Sequence, residues 1–204
     1  MSLKEKIKSN PRLKKLVHWL LIPRGSASPR LWVKLFVNPI LNKRGKGSRI
    51  KKVRLDILPF NTFQLGTGST IEDYCTINNG VGDVIIGEKT LIGIGNVLIG
   101  PVTIGNHVIF AQNIVASGLN HEYRDVTKPI HEQKIHVAPI IIEDDCWIAA
   151  NVVITSGITI GKHSVIAAGA VVTKNIPPYS VAVGNPARVI KKYNFDKNTW
   201  EATF

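Results

Sequence analysis

Three of the six histidines in this 204-residue chain, His121, His131 and His136, fall between residues 116 and 141, in ASGLNHEYRDVTKPIHEQKIHVAPII. Tyr123, Arg124, Asp125 and Glu132 stand among them, and no other segment is so dense in groups that exchange protons. An imidazole with an unperturbed pKa near ~6.5 can take the proton from an attacking hydroxyl at neutral pH, so general-base chemistry suits this cluster. His131 and His136 also have an H-x4-H spacing that could supply two metal ligands. A third is hard to find, because Asn96 and its neighbours offer no upstream histidine. No metal is expected. Cys75 and Cys146 are too far apart in sequence to read as a cluster or a disulfide framework, which points to a reducing, cytoplasmic setting.

What must hold these groups is a repeat of period six. Aliphatic residues recur at Leu65, Ile71 and Ile77, and after a three-residue insertion at Ile86, Ile92, Leu98, Ile104 and Phe110. The frame breaks across the histidine-rich segment and returns at Ile142, Ile148, Ile154, Ile160, Ile166 and Val172. Four places after most of these stands a small or β-branched residue, such as Ser69, Cys75, Thr90, Cys146 and Ser164. A helix needs a spacing of 3.6 and a long amphipathic strand needs alternation, so a strict six fits neither. It fits a coil of short strands and turns whose aliphatics stack on those of the next coil. Residues 116–141 are then a loop thrown out of one corner, and a long loop on a regular scaffold is commonly functional.

This stretch, about residues 53 to 192, resembles the hexapeptide-repeat proteins. The resemblance implies an all-β fold: a left-handed parallel β-helix with an extended loop, a basic partly helical N-terminal arm and a short C-terminal tail. The expected boundaries are 1–52 for the arm, 53–187 for the β-helix with its loop at 116–141, and 188–204 for the tail. The ordered series from Gly105 to Phe110, Asn113, His121, Ile142 to Ala150, Val165 to Lys174, Ile176 to Tyr179 and Val183 to Lys191 is similar to the galactoside, maltose and polysaccharide O-acetyltransferases of that superfamily.

That similarity implies transfer of acetyl from acetyl-coenzyme A, as cosubstrate, to a hydroxyl of a saccharide, in bacterial surface polysaccharide biosynthesis, by a homotrimer. It makes His121 the general base, Trp147 a neighbour of the reacting groups and the N–H of Ala150 the oxyanion donor. Ala150, Gly157 and Ala168 match the small residues lining the cofactor groove. Thr173, Lys174, Arg188 and Lys191 match its polar and phosphate-binding positions, with Lys191 standing where an arginine is common, which loses the bidentate grip on phosphate. Asn113, Tyr123 and Asp125 are candidate acceptor contacts. The family's sugar-holding asparagine and aspartate correspond to positions near Gly93 and Gly100, which have no side chain to offer, so the acceptor must be held differently. An amine acceptor on an amino sugar is one alternative. Another is a zinc lyase of the γ-carbonic anhydrase kind, which also resembles this fold, and a third is a non-catalytic scaffold.

Charge separates the front of the chain from the rest. The whole carries +12, yet residues 1–54 hold 16 lysines and arginines against the single acid Glu5. Within this arm Leu13, Leu16, Val17, Leu20 and Leu21 follow helical spacing, and a second apolar stretch runs from Leu31 to Val37. Such segments could cap the open end of the solenoid, or lie on an anionic membrane surface from the cytoplasmic side. The run Leu16–Ile22 is too short, and is broken by His18, to read as a secretory signal. No nucleic-acid reading motif accompanies the charge, so nucleic acid is not an expected partner.

Overall fold

The computed structural model describes residues 7 and 9–203. The in-frame aliphatics do what the period of six demands. Each coil contributes one short strand to each of three parallel sheets, and the coils stack about six deep. The first face begins with Lys43–Arg44 and Phe63–Leu65 and runs to Thr159–Ile160. The second begins with Arg49–Ile50 and runs through Trp147–Ile148 and Val165–Ile166 to Ser180–Val183. The third runs from Arg54–Asp56 to Val171–Val172.

Register places like on like. Leu65, Ile86, Ile104, Ile142 and Ile160 are successive partners on the first face. Ile71, Ile92, Phe110, Ile148 and Ile166 are partners on the second, and Ile77, Leu98, Ala116, Ile154 and Val172 on the third. All are buried in one continuous core. Each large aliphatic removed from water contributes about 1.5–3 kcal/mol, and no single coil could bury its own.

The small residues four places later close the corners. Ser69 Oγ donates to the carbonyl of Gly87 at 2.6 Å, Thr90 Oγ1 to that of Gly105 at 2.8 Å, and Ser164 Oγ to that of Pro177 at 3.0 Å. Each bond ties a corner to the next coil and satisfies a carbonyl that the turn would otherwise strand. Both thiols do the same, Cys75 to Gly93 at 3.0 Å and Cys146 to Gly161 at 3.2 Å. Glycine at the turn after the first-face aliphatic is a matter of clearance: a Cβ on Gly66 would stand 2.3 Å from the backbone of Gly87.

The coil stack extends beyond the stretch where the period is visible. Parallel pairing starts at Lys43–Arg44, inside the segment read as the arm, with Arg44 on Leu65 and Ile50 on Ile71. The aliphatic signature is missing there because the outermost coil has a partner on only one side, so Arg44 replaces an aliphatic at the stacking position. Beyond Ala187 the second sheet continues by two antiparallel strands, Arg188–Asn194 and Thr199–Ala202. There Tyr179, Tyr193, Phe195 and Trp200 pack edge to face.

Both apolar stretches of the arm are helical. The first, Pro11–Leu21, has Asn10 as its N-cap, whose side chain accepts from the N–H groups of Arg12 and Leu13 at 3.1 Å. The second runs through a π-helical turn, Val33–Val37, into Asn38–Leu41. It lies against the end of the stack: Val33 is fully buried, Asn38 Nδ2 donates to the carbonyl of Ile57 at 3.0 Å, and Ser28 Oγ bonds Asp56. Among the described residues no helix is long and apolar enough to cross a membrane.

Candidate active site

His121 leaves the solenoid on a β-hairpin. Between the third and first faces the chain departs as Leu119–His121, turns, and returns antiparallel as Ile135–Val137, with Leu119 opposite Val137 and His121 opposite Ile135. Two braces tie its base to the next coil: Asn120 Nδ2 donates to Ser156 Oγ at 2.6 Å, and the N–H of Gly157 to the carbonyl of Ala138 at 3.3 Å. Glu122 braces its middle. Its carboxylate accepts from the N–H groups of Tyr123 and Arg124 at 2.9 and 3.0 Å and meets His136 Nε2 at 2.9 Å. The N–H of Arg124 first, then that of Tyr123, then His136, hold the Glu122 carboxyl down to about 2.

His136 is thereby a partner of Glu122, and exposed His131 lies 3.7 Å from Glu132. The three histidines do not converge. Among the described residues no three His, Cys, Asp or Glu side chains are grouped to hold a metal ion. His121 is exposed, and directly opposed residues of an antiparallel pair share a face, so its imidazole stands with Leu119, Ile135 and Val137. Asn120 and His136 occupy the other face. Tyr123 is exposed near the tip, while the Asp125 carboxylate is engaged in the tip's own turn, by Thr127 at 2.6 Å and Lys128 at 2.9 Å. Thr127 first and then Lys128 lower the Asp125 carboxyl below its ordinary value.

The other candidates fall into separate places. Gly157, Thr173 and Lys174 lie with the hairpin at the corner between the third and first faces. Gly157 has φ +80°, the left-handed region that favours glycine. Asn113, Ala150, Ala168 and Arg188 lie at the corner between the second and third faces, where Asn113 takes φ +56°. There the Ala149 and Asn151 N–H groups bond Ile166 and Gln112, whereas among the described residues no backbone acceptor takes the N–H of Ala150. Trp147, half exposed, and Lys191 stand on the second face. From Ala150 to Gly157 the chain crosses the third face through Val153–Ile154, so Ala150 and the His121 hairpin lie at different corners of one chain.

The model of the bacterial transferase hexapeptide family, described as six repeats, matches residues 139–174. A probable acetyltransferase of Mycobacterium tuberculosis is 34% identical over 81% of this chain and 55% of its own length. The chain is similar to the hexapeptide-repeat transferases. Within that family, galactoside O-acetyltransferase of Escherichia coli is 43% identical over 46% of this chain and 45% of its own length. The chain thus spans about half the length of these curated relatives. A maltose O-acetyltransferase structure from Clostridium difficile is 27% identical, covering 94% of this chain and 97% of that one, with a TM-score of 0.54. A variant of AntD, an N-acyltransferase from Bacillus cereus solved with dTDP-4-amino-4,6-dideoxyglucose and coenzyme A, shares the fold at 20% identity and TM-score 0.65, covering 80% of this chain and 91% of that one.

Three features escaped the sequence: the Asn120–Ser156 brace, the Glu122–His136 pair, and the approach of the arm to the hairpin. The first two are contacts between positions 36 and 14 residues apart with no motif of their own.

Proposed function

We propose that the protein transfers acetyl from acetyl-coenzyme A to a hydroxyl of a saccharide acceptor, with His121 as general base. The observation that carries the reading is the presentation of His121: an exposed imidazole on a braced hairpin, beside the corner of Gly157, Thr173 and Lys174. The imidazole takes the hydroxyl proton as the oxygen attacks the thioester carbonyl. The oxyanion so formed receives the N–H of Ala150, and collapse expels the coenzyme A thiolate, which recovers the proton from the imidazolium.

Transfer is direct. Burial raises the thiol of Cys75 and pushes that of Cys146 up to about 11, and both thiols are bonded inside the core, which is the wrong setting for an acyl-enzyme nucleophile. The separation of His121 from Ala150 supports a trimer whose sites lie between copies, the hairpin corner of one meeting the Ala150, Ala168 and Arg188 corner of the next. Outward Leu91, Ile109 and Trp147 form an apolar ladder on the second face that suits such a contact. The E. coli and C. difficile relatives, both named O-acetyltransferases of sugars, favour a hydroxyl acceptor, while the more distant AntD structure shares only the fold.

The arm supports a cytoplasmic, membrane-apposed enzyme. Leu31, Trp32, Leu35, Phe36 and Ile40 are exposed on its second helical segment, amid 16 cations and one acid over residues 1–54. An acceptor screen with acetyl-coenzyme A, reading thiol release, tests the reaction. Acetylation of a sugar hydroxyl is expected; release only with amino sugars would make the acceptor an amine, and none with any sugar would refute the reading.

A further inference from the structure

The hairpin face that carries His121 is exposed, and Ile135 and Val137 on it form one wall of a groove. The groove has a volume of about 980 Å³, at the upper end of the roughly 300–1,000 Å³ typical of small-molecule sites. One wall is the arm helix, through Val17 and Leu21; the floor is Phe60 and Val81; the opposite wall is Ile135 and Val137. Ile135 is the residue directly opposed to His121 across the hairpin, so the imidazole stands beside this wall of the groove. His18 stacks on Phe60 with ring centroids 5.1 Å apart, which fixes the helix against the floor. The lining is apolar apart from Asn61, His18 and Lys14, and it includes no acid.

We propose that this groove receives the hydrocarbon part of an amphiphilic acceptor, a sugar joined through a phosphate to a prenyl or alkyl chain. This rests on the reading of His121 as base and names the substrate class for it. Three observations converge. An apolar trough of this volume is larger than a sugar ring needs, and its Ile135 wall belongs to the hairpin face that carries the base. Lys14 stands on its wall in an arm with a large excess of cations, which complements a phosphate but not a neutral aglycone. The outer side of the same helix exposes Leu16, Trp19 and Leu20, so the groove opens beside the surface best suited to lie on lipid.

The test uses the full chain and dodecyl phosphate below its micelle concentration, with dodecyl maltoside and inorganic phosphate as comparisons. Saturable binding of dodecyl phosphate, weaker binding of the maltoside and none of phosphate alone are expected. Val17→Glu and Val81→Glu, each checked for an unchanged melting curve, should weaken dodecyl phosphate roughly tenfold or more, since a carboxylate in an apolar trough repels both chain and phosphate. His121→Ala should bind it as the parent does. For any sugar that the enzyme acetylates, its octyl glycoside should have a lower KM than its methyl glycoside, and Val17→Glu should erase the difference. Absence of saturable binding, binding indifferent to both substitutions, or a change of oligomeric state in the two variants without alkyl binding would each overturn the proposal. The last would mean that a second copy fills the groove. If His121→Ala kept its turnover while alkyl binding followed this pattern, the base would be misassigned and the groove would stand.

Discussion

The stacked coils and the hairpin that springs from them are both made of strands two or three residues long, yet they hold together by different means. In the interior of the stack the inward aliphatics have like neighbours above and below, so each position is specified several times over. In the hairpin Tyr123, Val126, Ile130 and Ile135 are exposed, and order comes from a few polar contacts, Asn120 to Ser156 and Glu122 to His136 among them. Repetition makes a frame whose register is hard to slip. A handful of braces instead presents a reactive side chain with little buried surface.

The contrast breaks first in the frame. Ile148→Ala, at a fully buried stacking position, should cost about 2–5 kcal/mol and appear as a large fall in melting temperature. A melting curve like the parent's would mean that the coils do not share one core. In the hairpin the cost should fall on chemistry: His121→Ala should lower turnover by roughly 10²-fold or more with melting unchanged, and undiminished turnover would remove it from the mechanism. Lys174→Ala and Arg188→Ala should act more weakly, raising the KM for acetyl-coenzyme A more than they lower kcat, because contacts to a remote phosphate hold ground and transition states alike. If neither variant alters KM, the nucleotide sits elsewhere.

A finer distinction is one of pH. The Glu122 carboxyl, lowered from 4.5 to about 2, contributes its full brace above pH 4.5 and loses it as pH falls through 2. Protection factors, taken relative to the intrinsic exchange rate at each pH, should therefore fall in residues 119–137 at low pH before they do in the coils. Simultaneous loss of protection in both would show that the hairpin is as firmly held as the frame. The smallest effect belongs to Val126, 93% exposed at the tip: Val126→Asp should change stability by no more than about 0.5 kcal/mol.

The stack was legible because its determinants are local and repeated. Leu98 or Ile154 reads as a core residue from its place in the period alone, and the structure buries both. The outer coil, with its strands Lys43–Arg44 and Arg49–Ile50, was not legible, since an end coil with one neighbour carries arginine where the period asks for an aliphatic. Of the candidate site, the placement of His121 on a protruding loop could be read from the broken frame. The hairpin pairing could not, because its register rests on Leu119, His121, Ile135 and Val137, whose alternation is lost among polar neighbours. Nor could the arm's approach to the loop: Val17 and Leu21 share a groove with Ile135 and Val137 only through folding, across a long stretch of unrelated pattern.

Strand partners across the hairpin are 38 residues apart, as Ile104 and Ile142 are, where neighbouring coils are 18 apart, as Ile86 and Ile104 are. The excess leaves the solenoid at Gly118 and re-enters at Ala138, whose N–H bonds the Gly118 carbonyl at 2.9 Å, so both ends of the excursion are at one point. The segment is in effect a cassette. It can be shortened, lengthened or exchanged without shifting the register of any coil.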